Sequence, residues 1–342
     1  EAILHKDNFN RAYKRVKANK GAPGIDGMTV EEALPYLKEH QQELTDRIYR
    51  GKYTPSPVRR VEIPKQDGGV RKLGIPAVID RILQQAIAQQ LVPIYEPLFA
   101  DGSYGYRPNR SAKEAILKVK EYAGQGFTFA VALDLSKYAD DIVLLAKSKR
   151  ASERLLESST KYLEGKLKLT VNREKSRTVS VFAIRNFKFL GFALGRNGSG
   201  IYVRVHAKSW KKFKSKLKDL SSRRSVQSIK PNLEKIKVYV RGWLNYYGIA
   251  SMKNNIEDIN GWLYHRIRMC IWKQWKKPRT KVRNLIKMGL PEDLAWQTGN
   301  SRRGHWFTTH TVAVNMAMTK ERLISSGFYD LATAYQSMHV NY

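Results

Sequence analysis

Apolar positions recur every three or four residues through three long stretches of the second half of the chain. Trp210, Phe213, Leu217 and Leu220 fall on one helical face; Leu233, Ile236, Val240, Trp243 and Tyr247 on a second; Ile256, Ile259, Leu263, Ile267 and Ile271 on a third. A period near 3.6 predicts three amphipathic helices that pack these stripes together. Five helices are expected before them. One covers 6–20 around Phe9, Tyr13 and Val16 and is broken by Gly21-Ala22-Pro23-Gly24; one is capped by Thr29 and runs to about 49; the others span about 78–98, 111–123 and 150–166. Alternation on either side of Gln66-Asp67-Gly68-Gly69 predicts a hairpin within 52–76. The continuous apolar runs 129–133 and 142–145 read as buried strands, and short strands are expected near 178–182, 187–192 and 201–205. Strands gather in the front and middle and helices at the back, which is an α+β pattern.

Composition sharpens this picture. The chain has 342 residues, 42% of them hydrophobic, enough for a real core and two or three domains. Cys270 is the single cysteine, which excludes an intramolecular disulfide framework and a Cys-pair zinc finger, and fits a reducing compartment. No apolar run reaches the ~18–20 residues of a membrane span. The sequence opens on Glu1 rather than Met, so a removed leader stays open.

Charge changes the picture most. Lys and Arg number 62 against 30 Asp and Glu, a net of +32. Residues 201–290 alone carry +19, and residues 291–342 carry zero. A stretch so charged repels itself unless a polyanion is near, and it points to an extended phosphate-binding surface. An anionic membrane fits less well, because the basic residues interleave with Trp and Tyr along folded helices rather than forming one terminal anchor.

In so basic a chain, carboxylates at strand ends stand out. Asp134 ends the run 129–133, and Tyr138-Ala139-Asp140-Asp141 opens the run that begins at Ile142. Carboxylates held together at strand ends suit a pair of Mg²⁺ ions completed by substrate phosphates. A lone Tyr-x-Asp-Asp is equally a surface turn, since Asp favours turns. Around it stand Gly21-Ala22-Pro23-Gly24-Ile25-Asp26-Gly27, Val61-Glu62-Ile63-Pro64-Lys65 with Gly68-Gly69-Val70-Arg71, Ser103-Tyr104-Gly105-Tyr106-Arg107-Pro108, Phe187-Lys188-Phe189-Leu190-Gly191-Phe192 and Gly242-Trp243-Leu244-Asn245-Tyr246-Tyr247. In this order the motifs resemble those of bacterial group II intron-encoded reverse transcriptase–maturases, over nearly the whole chain.

The resemblance implies a right-hand polymerase fold, with fingers and an antiparallel palm followed by an α-helical thumb or maturase domain. It divides the chain into fingers with an N-terminal extension (1–127), palm (128–205), thumb/maturase domain (206–289) and a C-terminal DNA-binding-like segment (290–342). No Cys/His cluster follows, so the nuclease domain of some relatives is not expected. Asp134, Asp140 and Asp141 match the family's catalytic, metal-binding aspartates. Lys65 and Arg71, with Arg107, match finger residues that hold the incoming nucleotide, and Gly191 matches the turn at the primer. The basic helices, with Lys211, Lys212, Lys214, Lys218, Arg266, Arg268, Lys273, Lys276 and Lys277, match the region that holds RNA. The implied chemistry is attack of a primer 3′-hydroxyl on the α-phosphate of a deoxynucleotide, with two Mg²⁺ ions and pyrophosphate leaving. The implied partners are group II intron RNA, an RNA template with a DNA primer, target DNA and dNTPs. The implied location is the bacterial cytoplasm, at the nucleoid.

One departure matters. Five residues separate Asp134 from Asp140, where the family has several tens that carry an aromatic gate, a Pro-Gln-Gly-Gly loop and a palm strand. Residues 129–133 would then have to serve as two strands. Either a stretch after Lys137 is missing from this sequence and the protein is a polymerase, or the chain is internally deleted and only binds and stabilises intron RNA. The junction has the look of an excision, which favours the first.

Overall fold

The computed structural model describes residues 1–64, 69–135, 142–222 and 229–339. Lys65, Asp140 and Asp141 lie outside the described residues, as does most of the turn at Gln66-Asp67-Gly68. The chain forms two compact units, Glu1–Ser103 and Tyr104–Tyr342, and mixes helices with small antiparallel sheets, an α+β fold.

The first unit holds α1 (Lys6–Ala18), α2 (Ala33–Tyr49), the strands β1 (Arg59–Pro64) and β2 (Val70–Ile75), and α3 (Val78–Tyr95). Phe9, Ala12 and Val16 of α1 share a core with Val78, Ile82 and Ala86 of α3. Buried Asn8 crosses this seam by donating to the carbonyls of Ile3 and Ala86. The cap expected at Thr29 exists as a reciprocal pair, Glu32 accepting from the Thr29 amide and hydroxyl, while the helix itself starts four residues later at Ala33. Strands β1 and β2 pair antiparallel with Ile63 opposite Arg71.

The second unit begins with α4 (Ala112–Gly124), whose Ser111 and Glu114 form a complete capping box. Strands β3 (Phe129–Leu133), β4 (Ile142–Ala146) and β5 (Arg177–Ser180) make a sheet of order β4-β3-β5, antiparallel throughout, and α5 (Lys149–Gly165) lies between β4 and β5 in sequence. Val131, Leu133, Leu163 and Val171 form a small core under this sheet. A second hairpin joins β6 (Phe192–Asn197) to β7 (Gly200–Val205). The strand expected over 187–192 does not form. Leu190 and Gly191 take φ of +50° and +84°, which turn the chain so tightly that Phe189 and Phe192 bridge each other.

The three apolar stripes become α6 (Ala207–Leu220), α7 (Lys230–Tyr247) and α8 (Lys253–Gln274). Phe213, Leu217, Ile236, Val240, Ile256, Leu263 and Ile267 are wholly buried in one core. Six short helices follow: α9 (Pro278–Lys287), α10 (Glu292–Gly299), α11 (His305–Thr308), α12 (Val312–Ala317), α13 (Lys320–Ser325) and α14 (Leu331–Met338). Trp272, Val282, Leu285 and Val314 form a core of their own. Leu323, Phe328, Leu331 and Tyr335 then return to the main core beside α7 and α8. Among the described residues, no helix is long and apolar enough to cross a membrane.

Candidate nucleic-acid interface

Asp134 follows β3 directly, at the end of the sheet's central strand. The register pairs Leu133 with Ile142, so the residues flanking the 134–141 connection face each other across the sheet. The backbone at Asp134 is fixed on both sides: its amide donates to Ser176 Oγ at 3.1 Å and its carbonyl accepts from the Asn172 amide at 2.8 Å. Its half-exposed carboxylate lies 3.5 Å from Lys175 Nζ. A single hard oxygen donor at a strand end fits Mg²⁺ chemistry but does not make a metal site. Among the described residues no three His, Cys, Asp or Glu side chains come together as a metal site would require. Asp140 and Asp141, the other two expected ligands, lie outside those residues.

Of the nucleotide-binding residues expected from sequence, Arg71 stands exposed on β2 in the first unit, and Lys65 lies outside the described residues. Arg107 belongs to the second unit and is half-buried in a loop between two left-handed residues, Tyr106 (φ +56°) and Asn109 (φ +58°).

Gly191 sits in the turn before β6, and α6 and α7 close on it from both sides. Its carbonyl accepts from the His206 amide and from Ser209 Oγ, both at 3.0 Å, while Tyr246 donates to the Leu190 carbonyl at 2.9 Å. Phe192 stacks on Tyr246 and tilts against Tyr247. A side chain at position 191 would run into the Tyr247 hydroxyl, and φ there is already left-handed. Gly191→Ala is therefore expected to lower stability by about 2 kcal/mol, read by urea denaturation. A neutral result would mean that Tyr247 yields freely.

The basic helices divide cleanly by face. On α6, Phe213 and Leu217 are wholly buried, while Lys211, Lys212, Lys214 and Lys218 are all exposed. Lys214 and Arg266 hold their charges 5.2 and 5.1 Å from the centre of the Trp262 ring on α8. Arg266 also donates to Ser221 Oγ and to the carbonyls of Lys218 and Ser221, closing the C-terminal end of α6. Arg268 donates to the Met318 carbonyl at 2.8 Å. These two arginines thus tie the fold together, whereas Lys273, Lys276 and Lys277 are exposed. Trp262 escaped the sequence reading, although its place four residues before Arg266 on one helix was visible there.

Sequence reasoning also missed a buried histidine. His265 of α8 is 5% exposed, with the His310 ring 3.2 Å away and the edge of Trp306 at 4.1 Å. Burial first, then His310, Arg266 and Arg268, push its pKa down to about 4, partly opposed by a hydrogen bond at Trp306. The unfolded chain holds this proton up to about pH 6.5, so its contribution to stability is full above pH 6.5 and is lost as pH falls towards 4. The melting temperature is expected to drop over that window by the equivalent of about 2 kcal/mol, and His265→Gln to remove much of the drop. An unchanged pH profile in that variant would place the dependence on other groups.

Comparisons with known proteins agree with the basic helices. Residues 210–289, from α6 through α9, match the family described as "Group II intron, maturase-specific domain". The chain is similar to Protein YkfC of Escherichia coli K12, 42% identical over 131 residues, which cover 36% of this chain and 34% of that protein. It is similar to the group II intron-encoded protein LtrA of Lactococcus lactis subsp. cremoris, 35% identical over 141 residues, 41% of this chain and 23% of LtrA. A putative COX1/OXI3 intron 2 protein of Saccharomyces cerevisiae is 34% identical over 134 residues, 38% of this chain and 15% of that protein. The aligned parts thus span about a third or less of each of these relatives. Residues 210–289 thus match the group II intron maturase-specific domain, and the chain is similar over part of its length to proteins named as encoded by such introns.

Proposed function

We propose that this chain holds group II intron RNA on the lysine face of α6 and the exposed lysines at the end of α8, and thereby aids splicing. The observation that carries this is the separation of faces on α6: within the maturase-specific match, every expected lysine of the helix is exposed while Phe213 and Leu217 are wholly buried. Apart from Lys214, which lies over the Trp262 ring, these lysines show no packing role, and their charges would find their counterpart in phosphate.

The same reading extends to polymerisation. The chain would fold as fingers, palm and thumb and copy RNA into DNA from a primer, for insertion into target DNA. Asp134, Asp140 and Asp141 would hold Mg²⁺, whose contribution when bound is to stabilise charge on the transferring phosphoryl group. Lys65 and Arg71 would grip the triphosphate, and the Gly191 turn would lie along the primer. Lys175, now against Asp134, would move aside or meet a phosphate when the metal arrives. The narrower reading, in which the chain binds RNA and makes no DNA, is the alternative; β4 pairs directly with β3 at the edge of the sheet, an arrangement open to both.

RNA binding is tested through its salt dependence. Each neutralised phosphate contributes a slope of roughly 0.7–0.9 in log affinity against log salt. Replacing Lys211, Lys212 and Lys214 together with Gln is expected to flatten the slope by about two units with little change in melting temperature. An unchanged slope with a lowered melting temperature would mean that this face packs on protein.

A further inference from the structure

The segment from Ser301 to Thr311 reverses the usual order of inside and outside. Thr308 and Thr309 are buried, at 1% and 0% exposure, while Trp306 and Phe307 beside them are 42% and 49% exposed. Water favours the opposite arrangement, since the two aromatic rings carry far more apolar area than two threonine side chains. The reversal is held in place. Thr308 Oγ1 donates to the Arg303 and Gly304 carbonyls, and Thr309 Oγ1 to the His305 carbonyl. Both hydroxyls are therefore satisfied where they are buried. Trp306 is braced edge-on by His265 at 4.1 Å and by His310 at 5.1 Å, so its ring is held rather than loose.

The surroundings are cationic. Residues 294–320 contain no acidic residue at all. Arg303 places its guanidinium 4.5 Å from the Phe307 ring centre, and Arg302 next to it is exposed. Among the described residues neither arginine pairs with a carboxylate. Held aromatic rings beside unpaired arginines are what a nucleic-acid base with its phosphate requires: the ring stacks and the guanidinium meets the charge. Bases inside a duplex already stack on both sides, so a free face is offered by an unpaired nucleotide and not by the body of a helix.

We propose that Trp306 and Phe307, with Arg302 and Arg303, form a stacking platform for an unpaired nucleotide of the bound RNA. This rests on the RNA-binding reading and adds to it a second kind of contact. The lysines of α6 read phosphate, in paired and unpaired RNA alike; the platform reads the absence of pairing.

The test uses the full chain and two RNAs of equal length, a blunt duplex and a shorter duplex with an unpaired purine tail. The unmodified protein is expected to bind the tailed RNA about tenfold more tightly. Phe307→Ala and Trp306→Ala should each remove most of that preference while leaving blunt-duplex affinity and the salt slope intact. Trp306→Phe, which keeps a ring against His265, should retain it. Arg302→Gln combined with Arg303→Gln should flatten the salt slope for the tailed RNA by about one unit. Should Trp306→Ala melt early, Phe307→Ala and Trp306→Phe still carry the comparison. No preference for the tailed RNA, or equal loss on both RNAs, would overturn the platform alone and leave the lysine face standing. Failure to bind either RNA would overturn the RNA-binding reading with it. A dimer in sedimentation that Phe307→Ala dissociates would show that a second copy of this chain covers the rings instead.

Discussion

Asp134→Asn is expected to reduce primer extension by about a hundredfold or more while RNA affinity stays within about twofold. The substitution keeps the size of the side chain and the backbone bonds to Ser176 and Asn172, so the strand end should hold its shape. On the polymerase reading proposed above, what it removes is one negative oxygen donor that the transition state would need and RNA binding would not. Lys175 loses its carboxylate partner at the same time, but Lys175 is exposed and Asp134 half-exposed, and such a pair contributes little to folding. The measurement is single-turnover extension of a DNA primer on an RNA template, beside RNA binding by the same preparation. Normal extension in the variant would remove Asp134 from the site. An unmodified chain that binds RNA tightly and extends nothing would establish the narrower reading.

The three stripes of α6, α7 and α8 were legible because each helix buries one face against the others, and a 3.6 period survives such packing unblurred. The hairpin of β1 and β2 was legible from alternation and its glycine-rich turn, and the strands β3 and β4 from short continuous apolar runs, although Ile142 to Leu145 of β4 are half-buried rather than buried. The exposed lysines of α6 followed from the stripe they flank. Where reading failed, the cause was contact between residues distant in sequence. Apolar Phe187, Phe189 and Phe192 suggest a strand over 187–192, yet the tyrosines of α7, more than fifty residues on, shape that segment into a turn around Gly191. The bonds from Arg266 and Arg268 to backbone carbonyls at Lys218, Ser221 and Met318 were not legible either, since in sequence these arginines carry the same charge as their lysine neighbours. The last fifty residues form helices too short to show a period, and α11 is four residues long. Their burial is decided by what they return to pack against.

That return depends on one carboxylate. Asp330 caps α14 by accepting from the Thr333 amide at 2.7 Å, and reaches across to α8, accepting from Asn260 at 2.7 Å and Tyr264 at 2.8 Å. Burial raises its pKa, but the bonds from Asn260, Thr333 and Tyr264 together outweigh that and hold it below the usual carboxylate range. Asn260 answers by accepting from the Leu331 amide, and Tyr335 donates to the Ala250 carbonyl, so α14 is fastened at both ends. Asp330→Ala removes the cap and leaves two buried donors, on Asn260 and Tyr264, without their acceptor. A lost cap costs about 1 kcal/mol and each orphaned donor about 1–3, so a loss of about 3–5 kcal/mol is expected in urea denaturation. Asp330→Asn, which keeps an acceptor oxygen, should lose clearly less. Because Leu323, Leu331 and Tyr335 complete the core beneath α7 and α8, RNA binding by the maturase-specific residues 210–289 should fail in Asp330→Ala at temperatures where the unmodified chain still binds. If stability and binding are both unchanged, residues 320–338 are an appendage, and 210–289 folds on its own.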